Sequence, residues 1–127
     1  MIVVSASAAV LALVNAGEAR RRLQAEGLHA PALVDSEVVH VIRQQERTGV
    51  LSPTEAGRVI DSWHRLGVRR HSAQGHLERI WALRHDLTGY EATYVALAEA
   101  LGCELLTADR RLAGTPRLGC PVTLVTS

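Results

Sequence analysis

The chain has no lysine and no phenylalanine, and aromatic residues make up only 3% of its 127 positions. All fourteen basic residues are therefore arginine, and thirteen acidic residues leave a formal net charge of +1. A charge so near zero gives no overall indication of a nucleic-acid or membrane partner, so a polyanion site has to arise from local clustering of arginine. The exclusive use of arginine suits bidentate phosphate contacts, and it is also what a base-composition bias would produce.

Several signatures of enzyme chemistry are also missing. The two cysteines, Cys103 and Cys120, form neither a CxxC pair nor a zinc spacing, which predicts reduced, partly buried thiols in a cytoplasmic protein. Residues 5–8 follow the first apolar run and contain no glycine, which argues against a dinucleotide or P-loop site. There is no HExxH motif, and the six histidines have no ligand spacing. The remaining candidates for catalytic or metal-binding groups are the carboxylates of aspartate and glutamate.

The N-terminal segment 1–17 carries no charged side chain. A secretory signal has basic residues ahead of its apolar run, whereas here the cluster Arg20–Arg22 follows it. The run is also short for a membrane span and is interrupted by polar residues. We therefore expect a buried strand that leads directly into a helix, and no membrane partner.

Short apolar runs and helical patterns alternate along most of the chain. The strand runs are apolar throughout, which is typical of a parallel sheet covered on both faces. The sequence predicts one domain over residues 1–127, with an α/β fold of three layers, α/β/α, around a short, mostly parallel central sheet. In such folds the site lies at the carboxyl ends of the strands. Strands are predicted at 2–4, 29–32, 68–71, 103–107 and 122–125, and helices at 7–14, 18–26, 34–47, from 53, from 76 and from 88 to 101.

The predicted helices begin at recognisable capping residues. Ser7 is predicted to cap the first helix, and Ser52 and Thr88 each begin a capping box that a glutamate completes three residues later. Trp63 and Trp81 fall on apolar stripes of two helices. We therefore expect both tryptophans in the core or at an interface.

Three carboxylates stand where the predicted fold brings separate elements together. Asp109 follows a strand, Glu91 lies in the first turn of a helix, and Glu37 lies at the edge of a buried helical stripe. Two carboxylates about 4 Å apart repel by roughly 4 kcal/mol at an effective dielectric constant near 20, so a site with three must protonate one or hold a cation. Oxygen ligands select Mg²⁺ or Mn²⁺, and such an ion can bind phosphate oxygens and activate water for phosphodiester hydrolysis.

Each acid also has a structural interpretation. Glu91 completes a capping box, Asp109 could cap the turn that follows it, and Glu37 could be a rim residue paired with Arg43 or Arg47. Spacing alone leaves both interpretations open for all three residues.

At these positions the chain resembles the PIN-domain family, and in particular the VapC-type toxins of bacterial toxin–antitoxin pairs. The resemblance covers nearly the whole length, through MIVVSASAAV, PALVDSEVVHVIR, LTGYEATYVALAEALGCELLTADRRL and the short last strand. Each motif alone is a weak pattern, whereas their order and spacing together are fairly specific. The resemblance implies a PIN-like fold.

The family's site is a ring of acidic residues. Glu37 and Asp109 match two of its members, and Glu91 stands where the family usually has aspartate. Ser5 stands where the family has its first aspartate, within VVSAS. The resemblance therefore implies a metal site formed by Ser5, Glu37, Glu91 and Asp109, with the three acids as the catalytic residues.

The resemblance implies an endoribonuclease toxin that depends on Mg²⁺ or Mn²⁺, acts on RNA such as tRNA or ribosomal RNA, and is cytoplasmic. It also implies a homodimer and a small VapB-like antitoxin whose tail blocks the acidic groove. Ser7 and Thr107 match small hydroxyl residues beside the ring. Arg110, with Arg111 and Arg43, is expected near the ring, where it either contacts RNA phosphates or pairs with the carboxylates.

Ser5 leaves three competing explanations: an engineered substitution that disarms a toxic nuclease, a natural residue compatible with residual activity, or the mark of a degenerate toxin. Because one carboxylate of the ring is missing, we expect weakened divalent binding and weakened activity. The alternative function is a catalytically degenerate or disarmed protein of the same fold that binds antitoxin and RNA without cleaving. A receiver-like phosphoacceptor domain is a third hypothesis, which the absence of lysine argues against.

Overall fold

The computed structural model describes residues 1–127 and contains five β-strands and seven α-helices. Each element predicted from the sequence is present, and the last, short helix is an addition. The strands are β1 (Ile2–Val4), β2 (Leu28–Pro31), β3 (Val68–His71), β4 (Glu104–Thr107) and β5 (Val122–Leu124). The helices are α1 (Ala6–Val14), α2 (Glu18–Ala25), α3 (Val34–Arg47), α4 (Pro53–Arg65), α5 (Leu77–Ala82), α6 (Gly89–Leu101) and α7 (Arg110–Ala113).

The five strands form one sheet in the order β3-β2-β1-β4-β5, and every neighbouring pair is parallel. The sequence predicted a mostly parallel sheet, whereas the observed sheet has no antiparallel pair. Helices α1 to α4 pack on one another, α5 packs on α6, and α6 contacts β1, β2 and β4. The fold is therefore three-layered α/β/α, and its strand order differs from the flavodoxin-like order of receiver domains.

Strand β1 lies at the centre of the sheet and is completely buried. Ile2, Val3 and Val4 expose no surface, because strands flank them on both sides and helices cover both faces. Val4 is paired with Leu106 of β4, while the chain itself continues from β1 to β2 on the other side. The strand order thus reverses between β1 and β4, and ligand crevices of parallel α/β sheets open at the carboxyl ends of such strands.

Helix α1 begins directly after β1, and its cap corrects the sequence-based expectation. Ser5, not Ser7, is the N-cap residue: its backbone is extended and its Oγ accepts the Ala8 N–H at 3.2 Å. The shift leaves the Ser7 hydroxyl free for another contact. That Oγ accepts the backbone N–H of Ala108 at 3.2 Å, which ties α1 to the segment after β4.

The two predicted capping boxes are confirmed. At the start of α4, Ser52 accepts from the Glu55 N–H, and the Glu55 carboxylate accepts from the Ser52 N–H. Thr88 and Glu91 form the same reciprocal pair at the start of α6. Helix α6 ends at Gly102, which has a φ of 66°, a left-handed conformation that favours glycine.

The two tryptophans have opposite environments. Trp63 in α4 is 5% exposed, as expected for a core residue, whereas Trp81 in α5 is 67% exposed and Leu77 on the same helix is 60% exposed. Of the two alternatives expected for Trp81, its exposure excludes the core and leaves the interface as a prediction. The short α5 packs on α6 through other side chains, and the guanidinium of Arg84 lies 4.4 Å from the centre of the Trp81 ring.

Both cysteines are free and half-buried, as the sequence predicts. Burial raises the pKa of the Cys120 thiol to about 11, so this sulfur stays protonated near neutral pH. None of the helices combines the length and the apolar character that crossing a membrane requires.

Candidate active site

A cleft of about 670 Å³ opens at the carboxyl ends of β1 and β4, where the strand order reverses. Side chains from five separate parts of the chain line it, namely the β1–α1 junction, the first turns of α3 and α6, the end of β4 and the start of α7. Six of the seven residues singled out in the sequence are among its lining residues: Ser5, Ser7, Glu37, Glu91, Thr107 and Asp109. The fold therefore brings the three acids to one cavity.

Three hydroxyl groups form the floor of the cleft. Ser5 is 7% exposed and Thr107 is 1% exposed. The Oγ atoms of Ser5 and Ser7 lie 3.1 Å apart, and Thr107 Oγ1 accepts the backbone N–H of Asp109 at 3.1 Å. The end of β1 is held against the end of β4 by two other bonds, from the Ala108 N–H to Ser7 Oγ and from the Ser5 N–H to the Leu106 carbonyl.

Glu37 lies in the first turn of α3 and is half-buried. The hydroxyl of Tyr94 in α6 donates to its Oε1 at 2.6 Å. Burial, and next the hydrogen bond to the Glu37 carboxylate, raise the pKa of Tyr94 far above its ordinary value, so the phenol remains a donor. Tyr94 thus fixes one oxygen of Glu37, while Oε2 has no hydrogen bond within the chain.

Glu91 serves two purposes in the structure. One carboxylate oxygen, Oε1, accepts the Thr88 N–H of the capping box at 2.9 Å. The other, Oε2, forms an ion pair with Nη2 of Arg111. The capping interpretation is therefore confirmed, and it coexists with a position in the cleft, because a residue in the first helical turn at the edge of a cleft can have both.

Asp109 is the N-cap residue of α7 and is exposed. Its Oδ1 accepts the backbone N–H of Arg111 at 2.9 Å, and its Oδ2 lies 3.9 Å from Nη2 of the same arginine. Capping turns the carboxylate back towards its own helix. As for Glu91, the structural role and the place in the cleft coexist.

The expected arginines take different positions. Arg110 is exposed, has no ion pair and is not among the lining residues of the cleft. Arg43 is exposed on α3 without an acidic partner, and neither Arg43 nor Arg47 pairs with Glu37. Arg111 is the basic residue that contacts the acids.

Three further lining residues were not singled out as site residues. His40 lies one helical turn after Glu37, and this i, i+3 spacing is a signal that could have identified it. Tyr90 is 68% exposed beside Glu91. Tyr94 is an aromatic residue of the buried face of α6, and a buried tyrosine hydroxyl usually has a hydrogen-bond partner, which here is the Glu37 carboxylate.

Whether these residues fit a divalent ion depends on donor type and on arrangement. The donor set fits, since three carboxylates and neighbouring hydroxyls supply the oxygen ligands that Mg²⁺ and Mn²⁺ prefer. In the observed arrangement, no three His, Cys, Asp or Glu side chains lie close enough together to hold a metal ion. Two of the three acids face Arg111 instead.

Asp35 lies two residues before Glu37 but is not among the residues that line the cleft. It pairs with Arg70 through two bonds of 2.7 and 2.8 Å and accepts the Trp63 Nε1–H at 2.9 Å. The Arg70 guanidinium holds the pKa of the Asp35 carboxyl below its usual range. Asp35 therefore joins α3, α4 and β3.

Two other features lie outside the cleft. A slightly larger depression of about 720 Å³ beside α5 and α6 contains none of the three acids, and its charged residues Arg79 and Glu99 pair with each other at 2.6 Å. His71, at the carboxyl end of β3, lies 2.9 Å from His29 between their ring nitrogens. Neither feature brings a carboxylate to the end of β1.

The architecture and the acidic cleft at the β1–β4 junction agree with a match to a known family. The family model described as PIN domain matches residues 2–118. The chain belongs to the PIN-domain family.

Curated relatives cover nearly the full chain. VapC ribonuclease Mb0985 of Mycobacterium bovis and ribonuclease VapC9 of Mycobacterium tuberculosis are each 49% identical over 125 residues, which is 98% of this chain and 98% of the relative. Ribonuclease VapC1 of Mycobacterium tuberculosis is 41% identical over 128 residues, with 97% of this chain and 96% of the relative covered. Within the PIN-domain family, the chain therefore belongs with the VapC proteins.

Solved structures have the same fold. PAE2754 from Pyrobaculum aerophilum superposes with a TM-score of 0.69 at 25% identity, covering 95% of this chain and 82% of that one. VapC20 of Mycobacterium tuberculosis, described as a toxin that cleaves the sarcin–ricin loop, superposes with a TM-score of 0.60 at 22% identity, covering 91% of this chain and 96% of that one. The second likeness supports the fold alone.

Proposed function

We propose that this chain is a divalent-metal-dependent endoribonuclease toxin of the VapC type, with its active site in the cleft at the ends of β1 and β4. The observation that carries this proposal is the convergence of Glu37, Glu91 and Asp109 on one cleft from three separate elements. The VapC relatives, which are named ribonucleases, support the same activity. The alternative of a protein that binds without cleaving is not favoured by these relatives.

The three acids have related roles in this proposal. Glu37, Glu91 and Asp109 would hold the ion, and Oε2 of Glu37, which has no hydrogen bond within the chain, would be free to accept a proton from water. An ion bound there supplies positive charge to the phosphate oxygens and lowers the pKa of water. Tyr94 is a positioning residue that orients Glu37.

Ser5 contributes a hydroxyl where the family pattern has a carboxylate. Its Oγ accepts the Ala8 N–H and lies 3.1 Å from Ser7 Oγ. It can accept or donate a hydrogen bond to a water molecule, but it adds no charge for the ion. We therefore propose that Ser5 weakens divalent binding and activity relative to a ring with four carboxylates.

RNA is the proposed substrate, and the cleft has groups suited to it. Ser7 and Thr107 supply hydroxyls at the floor, and Tyr90 presents an exposed ring at the rim on which a base could stack. Arg110 is exposed at the start of α7, where it can neutralise phosphates of a strand leaving the cleft.

The remaining proposals concern the molecule as a whole. We propose that residues 1–127 act as a single PIN-like domain in the cytoplasm, that a VapB-like antitoxin covers the acidic cleft, and that the chain forms a homodimer. The exposed Leu77 and Trp81 on α5 are apolar side chains that a dimer interface could bury.

The decisive experiment measures cleavage of total RNA by the purified chain with Mg²⁺ or Mn²⁺. Cleavage is expected to stop with EDTA and to return when the ion is restored. Glu91→Ala and Asp109→Ala should abolish it, whereas the matched control Asp35→Asn removes a carboxylate outside the cleft and should retain it. Cleavage that persists in EDTA would contradict the proposal that the reaction depends on a metal ion. Cleavage retained by both alanine variants would remove the assignment of the site.

A further inference from the structure

Arg111 of α7 contacts two of the three acids of the cleft. Its Nη2 forms an ion pair with Oε2 of Glu91 and lies 3.9 Å from Oδ2 of Asp109. Its backbone N–H is held by Oδ1 of Asp109 at 2.9 Å, so the base of the side chain has a fixed position. One guanidinium group therefore faces both carboxylates at once.

These contacts use oxygen atoms that a divalent ion would need. The guanidinium occupies a lone pair of Glu91 Oε2 and places positive charge beside both carboxylates, so it opposes the binding of a cation to the same groups. No other basic side chain forms an ion pair with Glu91 or Asp109. Glu37 is different, because its partner is the neutral hydroxyl of Tyr94.

The exposure of the two partners makes an exchange feasible. The Glu91 side chain is 16% exposed, whereas the Arg111 side chain is 59% exposed. Moving the guanidinium into solvent therefore uncovers no core residue. Because the arginine end of this pair is exposed, the pair contributes on the order of 1 kcal/mol, which a doubly charged ion can outweigh.

We propose that Arg111 is an internal counter-ion that competes with the divalent ion for Glu91 and Asp109. This inference rests on the proposed function, because it assumes that the same carboxylates bind the ion. The new element is that Arg111 lowers the affinity of the chain for the divalent ion. This effect acts through Glu91 and Asp109 and not through Glu37.

The chain offers a matched control in the neighbouring residue. Arg110 is also an exposed arginine in the first turn of α7, but unlike Arg111 it has no acidic partner. Arg110→Gln therefore changes net charge as Arg111→Gln does, without removing a competitor. Arg111→Lys keeps the charge while losing the planar fork.

The test is isothermal titration calorimetry with MgCl₂ and MnCl₂ on the full chain. Arg111→Gln is expected to bind each ion about fivefold more tightly than the unmodified chain, which corresponds to the removal of one exposed ion pair. Arg110→Gln and Arg111→Lys are expected to bind like the unmodified chain. Without divalent ions, Arg111→Gln should also melt at a lower temperature, and added ion should raise its melting temperature more than that of the unmodified chain.

The outcomes separate this inference from the proposed function. If the unmodified chain binds the ion and Arg111→Gln binds it equally or more weakly, the proposal that Arg111 competes with the ion is wrong. Arg111 then positions the carboxylates, and the proposed metal dependence is unaffected. If Arg110→Gln gains as much as Arg111→Gln, the effect is one of net charge and the competition is again wrong. If no variant binds either ion at millimolar concentration, the competition and the metal dependence both fail.

Discussion

The hydroxyl of Tyr94 on α6 donates a 2.6 Å hydrogen bond to Oε1 of Glu37 on α3, which joins positions 57 residues apart in the chain. Tyr94 is 4% exposed, so its ring belongs to the core while its hydroxyl reaches the cleft. The bond therefore couples the packing of α6 to the orientation of a proposed catalytic carboxylate.

Tyr94→Phe removes this hydroxyl and keeps the ring. We expect kcat for RNA cleavage to fall by about tenfold with little change in KM, because loss of a bond that orients an active-site ligand typically costs between about tenfold and a hundredfold. Steady-state kinetics on a fluorescent RNA substrate would measure both constants. Tyr90→Phe is the control, since that hydroxyl is on an exposed ring. A Tyr94→Phe enzyme with unchanged kcat would contradict the positioning role.

The buried phenol of Tyr94 also makes the free energy of unfolding fall as the pH becomes alkaline. Burial raises the pKa of Tyr94 above its ordinary value of 10.0, so the folded state keeps the proton after the unfolded state has lost it. The contribution is complete below pH 10.0 and is lost as pH rises above that value. Urea unfolding above this pH should give a free energy that falls by about 1.4 kcal/mol more per pH unit than in Tyr94→Phe. Equal slopes in the two proteins would contradict it.

The fold was largely predictable from the sequence, because its signals are local. The fully apolar run Ile2–Val4 indicated a buried parallel strand, and the capping box at Ser52 fixed the start of α4. For Trp81 the stripe did not decide between core and interface, because a helical stripe predicts burial within the chain only if a second element covers it, and Trp81 on the six-residue α5 is 67% exposed. Burial of that kind is a tertiary property that the local pattern does not contain.

The candidate site was predictable in its membership but not in its contacts. Positions at the ends of parallel strands and in first helical turns predicted that Glu37, Glu91 and Asp109 would share a cleft, as they do. Pairing of Arg111 with the carboxylates was one of two alternatives that the sequence left open, and the structure shows that pairing. The contact of Tyr94 depends on which rotamer reaches across from another element, and sequence spacing carries no information about such a long-range pair.

Asp35 and Glu37 are neighbouring carboxylates of α3 with different partners, and we expect opposite effects from their neutral variants. Asp35→Asn breaks the pair with Arg70 and should lower the free energy of unfolding by about 1 kcal/mol while the cleavage rate is retained. Glu37→Gln should lower kcat by about a hundredfold or more with little change in stability. Urea unfolding and cleavage kinetics on both variants check this. A loss of activity in Asp35→Asn without a loss of stability would reverse the assignment.

Ser5→Asp tests how much the missing carboxylate matters. Aspartate is as good an N-cap residue as serine, so α1 should still begin at Ala6 with its cap bond to the Ala8 N–H. The added charge lies at a site that is 7% exposed and opens on the same cleft as the three acids. Without divalent ion it should therefore destabilise the fold through repulsion, and with ion it should raise affinity by about tenfold.

Ser5→Asn is the matched control for this change, because it has the size and capping ability of aspartate without the charge. Calorimetric titration with Mn²⁺ and thermal unfolding with and without the ion would compare the two variants. We expect Ser5→Asp alone to gain affinity and to show the larger rise in melting temperature on adding the ion, since only a charged side chain at this position strengthens the attraction for a cation. Equal affinities in Ser5→Asp and Ser5→Asn would mean that position 5 lies outside the ring that binds the ion.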